Sequence, residues 1–336
     1  MRHFLTTADW SRDELQAILD QARVFKEHPV GEALKDRSVA LVFFNPSLRT
    51  RSSFDLGVHQ LGGHAIILEP GQGAWPIEFD DGAIMDAAPE EHIKEVARVL
   101  SRYCDLIAVR AFPKFVDWTS DRRDQVITQF ARYADVPVIN METITHPCQE
   151  LALMMTLQDA LGEKTDGKKF VLTWTYHPKG LNTAVVNSAL LIAAKFGFDV
   201  TLLCPTPEYV LDRRYMDYGQ EFAKACGRRV TVSHDIESAY EGADVVYAKS
   251  WGALPYFGRW EEEKPLRDAH KHFIVDSQKM DLTNQAYFSH CLPLRRNVKA
   301  TDAVVDSPES LVIEEAENRL HVQKALMCDL LQVERA

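Results

Sequence analysis

Hydrophobic and polar positions along the first half of the chain alternate between two patterns. Short runs of consecutive apolar residues, typical of buried strands, are VALVFF, HAIILE, CDLIAVRAF and VPVINM. Segments with apolar residues every three or four positions, typical of helices, lie between them and include SSFDLGVHQLGG and EEHIKEVARVLSRY. Strands that alternate with helices in this way predict a parallel sheet covered by helices.

The second half of the chain repeats the same order. Its strand-like runs are KKFVLTWTY, DVTLLCP, RVTVSHD and DVVYAKSW, and helical segments such as LNTAVVNSALLIAAKFGF separate them. The pattern therefore predicts an α/β fold of two doubly wound domains with parallel sheets, which suits 336 residues at roughly 100–200 residues per domain. We expect the first domain at 1–145 and the second at 146–315. The apolar helix PCQELALMMTLQDAL links them, and a last helix at about 316–336 is expected to pack back on the first domain.

Charge and cysteine content exclude several classes of protein. With 38 lysines and arginines against 49 aspartates and glutamates, the net charge of −11 argues against a nucleic-acid or anionic-membrane partner. The six cysteines form no CxxC pair, so they indicate neither a zinc site nor a disulfide framework. The start MRHFLTTADW lacks the apolar core of a signal peptide, and no stretch approaches the ~20 apolar residues of a membrane span. We expect a cytoplasmic protein.

The segment FFNPSLRTRSSF, residues 43–54, carries the first candidate chemistry. It lies where a predicted strand passes into a helix, and the unpaired N–H groups of a helix N-terminus bind anions. Ser47 and Thr50 add hydroxyl donors, and Arg49 adds a planar fork suited to phosphate or carboxylate. The alternative is that Ser47 only caps the helix while the arginines are solvated or pair with nearby acids.

Three strings in the chain match a known pattern. The first is F-x-x-x-S-x-R-T-R-x-S-F at 43–54, the second is H-P-x-Q-x-L at 146–151, and the third is H-C-L-P at 290–293. In their order and spacing they resemble the signatures of the aspartate/ornithine transcarbamylase family. The resemblance implies the two-domain α/β fold, a homotrimer with sites at subunit boundaries, and transfer of a carbamoyl group from carbamoyl phosphate to an amine. It implies no metal or other cofactor, since orientation, a polarised carbonyl and a stabilised phosphate suffice.

The resemblance also implies roles for individual residues. Arg49 and its neighbours bind the phosphate, with Arg51 structural; His146 donates to the carbonyl oxygen, and the side-chain oxygen of Gln149 accepts from the amide. The expected catalytic residues are Arg49, Arg110, His146, Gln149 and Cys291. The residues expected at carbamoyl phosphate are Ser47, Leu48, Arg49, Thr50, Trp75, Arg110, His146, Gln149, Cys291, Leu292 and Arg295.

The acceptor amine follows from departures within the family. KSWG at 249–252 replaces the S-M-G motif of ornithine-using members, and GQGAWPIEF occupies the loop that in the family crosses to a neighbouring subunit. With NMETITHPCQE and VLTWTYHPKGLNTAVVNS, these stretches imply transfer to the δ-amine of N-acetyl-L-ornithine, which yields N-acetyl-L-citrulline and phosphate in arginine biosynthesis. The residues expected at the acceptor are Glu90, Glu142, Asn182, Lys249, Cys291, Leu292 and Arg295.

Three of the implied roles concern acceptor choice and modification. Trp75, and with it Glu90, is expected to reach the site of an adjacent subunit. In the family a glutamate at the position of Glu90 accompanies the acetyl substrate, whereas a proline accompanies the succinyl one, whose extra carboxylate a glutamate would repel. The lysine that matches Lys299 can carry a carboxyl group derived from carbon dioxide.

Other functions remain open from the sequence. N-succinylornithine or ornithine is the alternative acceptor. A nicotinamide dehydrogenase would share the two-domain outline, but no G-x-G-x-x-G follows VALVFF or KKFVLTWTY. A catalytically silent, phosphate-sensing scaffold could keep the fold, although the intact set of Arg49, Arg110, His146 and Gln149 speaks against it.

Overall fold

The computed structural model describes residues 1–162 and 165–333. These residues form two compact units. The first consists of 1–113, 120–148 and the chain from 318, and the second of 114–119 and 149–317. Residues 163–164 of the predicted second domain and 334–336 of the predicted last helix lie outside the described residues. In the described part of the chain, no helix has both the length and the hydropathy to cross a membrane.

The first unit is built on a parallel sheet. Its strands are β1 (Ser38–Phe43), β2 (His64–Leu68), β3 (Ile77–Glu78), β4 (Glu91–His92), β5 (Leu106–Arg110) and β6 (Val138–Glu142). Its helices are α1 (Arg12–Glu27), α2 (Leu48–Gln60), α3 (Ile93–Tyr103), α4 (Trp118–Asp121) and α5 (Gln125–Tyr133), with a 3₁₀ turn at Thr7–Asp9. The main sheet has the order β2-β1-β5-β6, and β3 pairs with β4. A register shift between Val109 and Arg110 sets Arg110 opposite Glu142.

The second unit repeats this plan on a larger parallel sheet of order β11-β10-β7-β8-β9. Its strands are β7 (Lys169–Trp174), β8 (Asp199–Leu203), β9 (Val230–Ser233), β10 (Val245–Lys249) and β11 (Tyr287–Ser289). Its helices are α7 (Ala184–Lys195), α8 (Arg213–Ala225), α9 (Ile236–Tyr240), α10 (Trp260–Asp268), α11 (Ser277–Met280) and α12 (Asp302–Val305), with 3₁₀ turns at Pro207–Tyr209, Leu254–Tyr256 and Lys271–Phe273. The predicted α/β fold with parallel sheets is confirmed.

The short helix α4 contains residues of both units, and so do two long helices. The long ones are α6 (Pro147–Leu161) and α13 (Val312–Leu331). Their sequences are PCQELALMMTLQDAL and VIEEAENRLHVQKALMCDLL, and both are largely buried. Burial all round explains why α6 is apolar on every face rather than along one stripe.

Helix α2 begins one turn earlier than the apolar pattern indicates. The pattern places its start at Ser52, whereas in the structure Ser47 is the N-cap and its Oγ accepts a hydrogen bond from the backbone N–H of Thr50 over 3.1 Å. A hydroxyl at the N-cap satisfies an N–H group that has no partner within the helix. Because of this early start, residues 48–51 form the first helical turn, where the helix dipole favours the binding of anions.

Each unit has its own apolar core. In the first, Val42, Ile107, Val109 and Phe130 are almost completely buried between the sheet and its helices. In the second, the ring of Phe170 packs edge-on against Phe198 with centroids 5.6 Å apart. Burying a side chain of this size contributes ~1.5–3 kcal/mol. These cores fix the carboxyl ends of the strands, where Arg110, Glu142 and Lys249 lie.

Candidate active site

The predicted phosphate loop occupies the first turn of α2 in the first unit. Thr50 is buried, Arg49 is partly buried, and the side chain of Leu48 is exposed. Ser47 accepts from the N–H of Thr50, so its own hydroxyl proton can still be donated to a ligand. Arg51 instead forms an ion pair with Glu69, at 2.8 Å between Nη1 and Oε1.

A second arginine reaches this loop from the other end of the chain. Arg319 on α13 is buried, and its Nη2 donates to Oγ1 of Thr50 over 2.6 Å. Burial lowers the pKa of the Arg319 guanidinium, and the charges of Arg110 and Arg49 lower it further, although those of Cys148 and Glu142 oppose them. Buried like charges are costly unless an anion compensates them. The buried guanidinium beside the first turn of α2 makes this loop a candidate anion site.

Arg110 ends strand β5 beside two other predicted residues. Its Nη1 donates to Oε2 of Glu142, and the guanidinium lies 4.5 Å from the centre of the Phe112 ring. The same carboxylate oxygen of Glu142 lies 3.4 Å from Nε2 of His146. The structure thus places Glu142 in the first unit with Arg110 and His146, all three largely buried.

Trp75 and Glu90 belong to the first unit but lie on its surface. The Trp75 side chain is 64% exposed, and Glu90 is exposed just before β4. Trp75 lines a cavity of about 500 Å³ together with apolar side chains such as Val99, and none of the other residues expected at carbamoyl phosphate lines it.

The second unit carries a separate group of basic side chains. Lys299 is buried, and its pKa falls to about 7, first because of burial and then because of the charges of Lys249 and Arg295. Burial also lowers the pKa of His177 to about 4. Nε of Arg295 donates to Nε2 of His177 over 3.1 Å, while Nδ1 of His177 lies 3.0 Å from both the backbone nitrogen and the backbone oxygen of Lys179. This group presents positive charge with a neutral histidine at its edge.

The HCLP segment adjoins the same lysine. Nδ1 of His290 accepts from the backbone N–H of Leu292 over 2.8 Å, and its Nε2 lies 3.3 Å from Nζ of Lys299. Leu292 has a φ of 53°, a left-handed conformation that is strained for a branched side chain and that often marks a functional loop. Cys291 is buried. Asn182 lies before α7, where its Oδ1 accepts from the N–H of Ala184 over 3.2 Å.

Gln149 lies in the first turn of α6 and is almost completely buried. Its Nε2 donates to a carboxylate oxygen of Glu315, while its Oε1 has no hydrogen-bond partner within the described residues. The described residues contain no group of three or more His, Cys, Asp or Glu side chains placed to hold a metal ion.

Sequence models of two domains match this chain. The carbamoyl-phosphate-binding domain of aspartate/ornithine carbamoyltransferases matches residues 2–159, and their Asp/Orn-binding domain matches residues 171–330. The chain belongs to the aspartate/ornithine carbamoyltransferase family. The resemblance noted from the three sequence strings is confirmed.

Relatives within the carbamoyltransferase family differ in their acceptors. The N-acetylornithine carbamoyltransferase of Xanthomonas axonopodis pv. citri (strain 306) is 67% identical over 98% of this chain and 96% of the relative. The N-succinylornithine carbamoyltransferase of Bacteroides thetaiotaomicron is 38% identical over 85% of this chain and 84% of the relative. A crystal structure of acetylornithine transcarbamylase complexed with acetylcitrulline superposes with a TM-score of 0.98, at 66% identity and with both chains fully covered.

Residues that sequence reasoning missed in this carbamoyltransferase have distant partners. The missed residues are Arg319 and His177. Arg319 contacts Thr50, which lies 269 positions away in the sequence, and His177 contacts the predicted residue Arg295, which lies 118 positions away. Arg319 lies in a helical pattern where an arginine is ordinarily solvated. His177 does lie in the HPKGLN segment after β7, at the carboxyl end of a central strand, and that position is the one signal that could have identified it.

Proposed function

We propose that this carbamoyltransferase transfers the carbamoyl group of carbamoyl phosphate to the δ-amine of N-acetyl-L-ornithine, giving N-acetyl-L-citrulline and phosphate in arginine biosynthesis. The observation that carries the donor half is the buried guanidinium of Arg319 on Thr50, at a helix N-terminus that already holds Arg49. Phosphate is an anion suited to these two guanidinium groups and to the helix N-terminus.

The assignment of the acceptor rests on the group of basic side chains in the second unit. Lys249 and Arg295 both lower the pKa of Lys299, so both of these cations lie near enough to act on it. Cations in this arrangement bind the α-carboxylate of an amino acid and oppose its α-ammonium group. Acetylation removes that ammonium, and the 67% identical relative uses N-acetylornithine. Ornithine, whose ammonium would be buried without a partner, is therefore rejected.

The reaction requires few groups. The neutral δ-amine attacks the carbamoyl carbon, the bond from that carbon to the bridging oxygen breaks, and phosphate leaves with the electron pair and takes up the amine proton. In this proposal Arg110 and His146 donate to the carbonyl oxygen as it gains negative charge, and Arg49 stabilises the leaving phosphate. Glu142 holds the guanidinium of Arg110 in place, as its contact with Nη1 supports. Cys291 and the backbone of Leu292 orient the amine.

The assembly and setting of the enzyme are part of the same proposal. The exposed indole of Trp75 suits a subunit boundary, because a large aromatic side chain left in water loses the free energy of burial. We place Trp75 and Glu90 at the site of an adjacent subunit in a homotrimer. The reaction takes place in the cytoplasm, where the six cysteines stay reduced.

The test is acceptor choice under one set of conditions. Purified protein is given carbamoyl phosphate with N-acetylornithine, N-succinylornithine or ornithine, and the ureido products are measured by colour reaction. We expect N-acetylcitrulline to form fastest, with little product from ornithine. Faster transfer to ornithine would overturn the acceptor assignment, and no transfer to any amine would overturn the assignment as a transferase.

A further inference from the structure

Glu315 lies at the centre of a buried hydrogen-bond network in the second unit. It belongs to the first turn of α13 and is completely buried. Its Oε1 accepts from Nε2 of Gln149 and from the hydroxyl of Tyr247 at 3.1 Å, while its Oε2 accepts from the hydroxyl of Ser289. The donors come from α6, β10 and β11, and each of them is itself buried. A carboxylate with three donors in a dry interior is well satisfied.

We propose that Glu315 is a positioning residue that sets the orientation of the Gln149 amide and so selects a carbamoyl donor. A carboxylate only accepts hydrogen bonds, so it requires the NH₂ end of Gln149 to face it. Oε1 of Gln149, which is buried and without a hydrogen-bond partner among the described residues, is then directed away as an acceptor. The proposal rests on the proposed function and on the role that the family resemblance implies for Gln149, whose side-chain oxygen accepts from the NH₂ group of carbamoyl phosphate.

The opposite orientation of Gln149 is excluded by electrostatics. If the amide were rotated by half a turn, its oxygen would face the carboxylate oxygens of Glu315, and two acceptors would meet without a proton between them. The NH₂ of Gln149 would then face the NH₂ of the carbamoyl group, and two donors would meet there. Glu315 thereby favours a donor whose acyl group ends in NH₂ over one that ends in methyl, without itself contacting the substrate.

The experiment compares two isosteric acyl phosphates on two variants. Carbamoyl phosphate and acetyl phosphate share the phosphate and carbonyl groups and differ in NH₂ against CH₃. Dissociation constants for both, and for inorganic phosphate, are measured by calorimetry on the full-length protein, together with kcat and KM for transfer. In Glu315→Gln the amide can donate as well as accept, so Gln149 loses its fixed orientation. We expect affinity for carbamoyl phosphate to fall by roughly tenfold or more while affinities for acetyl phosphate and phosphate change by less than about twofold.

The second variant separates positioning from packing. Glu315→Asp changes the shape of the side chain but keeps an acceptor-only carboxylate, whereas Glu315→Gln keeps the shape and loses that property. If Glu315 positions Gln149, the Glu315→Asp variant retains the preference for carbamoyl over acetyl phosphate, and the Glu315→Gln variant loses it. If Glu315 only fills space, the Glu315→Asp variant loses at least as much of this preference as the Glu315→Gln variant. Loss of the preference in Glu315→Asp overturns the proposal, and this outcome can be read even where Glu315→Gln does not fold.

A double-mutant cycle shows whether the effect passes through Gln149. Gln149→Ala removes the acceptor, so adding Glu315→Gln to it is expected to cause no further loss of preference. An additive loss would overturn the proposal. The proposed function fails separately: unmodified protein would then neither bind carbamoyl phosphate nor form a ureido product. An unmodified protein that transfers the carbamoyl group, with a Glu315→Gln variant that keeps its preference, refutes only the role of Glu315.

Discussion

Arg319 donates a hydrogen bond to the hydroxyl oxygen of Thr50 over 2.6 Å, and the two residues lie 269 positions apart in the sequence. The bond ties the last helix to the first turn of α2. It places a buried guanidinium at the N-terminus of a helix, where the dipole already favours an anion. The predicted phosphate loop therefore contacts a guanidinium from outside its own motif.

Replacing this arginine should weaken binding of the donor irrespective of the acceptor. In Arg319→Lys the planar fork is lost while a positive charge remains, so the bonds to Thr50 and to phosphate cannot both be kept. We expect affinity for carbamoyl phosphate and for inorganic phosphate to fall by roughly tenfold or more, since a charge-assisted hydrogen bond contributes ~1.5–3 kcal/mol. Calorimetric titration measures both affinities.

Arg51→Lys is the matched control for Arg319→Lys. Arg51 lies beside Thr50 in the first turn of α2, but it pairs with Glu69 at the surface, and 46% of its side chain is exposed. An exposed pair contributes at most ~1 kcal/mol, so phosphate affinity should stay within about twofold. If Arg51→Lys weakened phosphate binding as much as Arg319→Lys, the assignment of Arg319 to the anion site would be wrong.

Loss of Arg49 should abolish transfer to every acceptor. In Arg49→Ala the loop keeps Ser47 and Thr50 but loses the fork that stabilises the leaving phosphate. We expect kcat to fall by roughly a hundredfold or more with both acylated ornithines alike. Steady-state assays with both acceptors measure this, and a loss confined to one acceptor would contradict the role.

Glu90 should control which acylated ornithine is used. Its carboxylate repels the second carboxylate of N-succinylornithine, and Glu90→Pro removes that charge. We expect the ratio of kcat/KM for the succinyl over the acetyl substrate to rise by about tenfold or more, which is ~1.4 kcal/mol. Glu90→Asp keeps the charge and should leave the ratio low, whereas Glu90→Gln should raise it. Equal effects on both substrates in all three variants would refute the charge argument.

Lys299 should react with carbon dioxide near neutral pH. Because its pKa lies at about 7 rather than 10.5, the amine is mostly neutral above that pH instead of only in strong base. The neutral nitrogen attacks the carbon of carbon dioxide, a proton leaves for solvent, and a carbamate anion remains. With carbon-labelled bicarbonate, we expect a carbamate signal in the NMR spectrum that grows between about pH 6 and pH 8, across the lowered pKa.

Lys299→Arg serves as the control for the carbamate. A guanidinium stays protonated throughout this range and does not form a carbamate. The labelled signal should therefore be absent from this variant at every pH. A signal of unchanged intensity in Lys299→Arg would assign the modification to another lysine.

The stability of the second unit should depend on one buried ion pair. Arg267 donates to Glu263, and both side chains are almost completely buried; burial raises the pKa of the Glu263 carboxyl. In Arg267→Met the carboxylate loses its counter-charge, so we expect the free energy of unfolding in urea to fall by ~3–5 kcal/mol. The double variant Glu263→Leu with Arg267→Met removes both charges and should be less destabilised than Arg267→Met alone.

Glu262→Gln is the surface counterpart of this change. Glu262 pairs with Arg259 at 2.7 Å with 57% of each side chain exposed. Its loss should change the free energy of unfolding by no more than ~1 kcal/mol. Equal destabilisation by Glu262→Gln and Arg267→Met would mean that burial of the Arg267 pair does not govern its contribution.

Much of the fold could be predicted from local pattern. The runs VALVFF and KKFVLTWTY became β1 and β7 at the centres of their sheets, because a strand buried on both faces requires consecutive apolar residues. The apolar pattern predicted the start of a helix less well where the helix begins with polar residues. Arg49 and Thr50 precede the apolar stripe of α2, and the N-cap at Ser47 decides where this helix starts. The pattern did not predict helix α1 or strand β11. Helix α1 is polar on one face, and strand β11 is only three residues long.

By itself, the sequence determined the two-domain α/β class and, through HPCQEL and HCLP, membership of a family, and it predicted an anion-binding turn at Ser47–Thr50. These features depend on neighbouring residues, since backbone hydrogen bonding, helix capping and short motifs operate within a few positions. Only the tertiary structure decided that Arg319 lies on Thr50, that His177 accepts from Arg295, and that Glu315 holds Gln149 across 166 positions. A polar residue on a helix reads the same in the sequence whether it is solvated or buried, and only packing brings its distant partner to it.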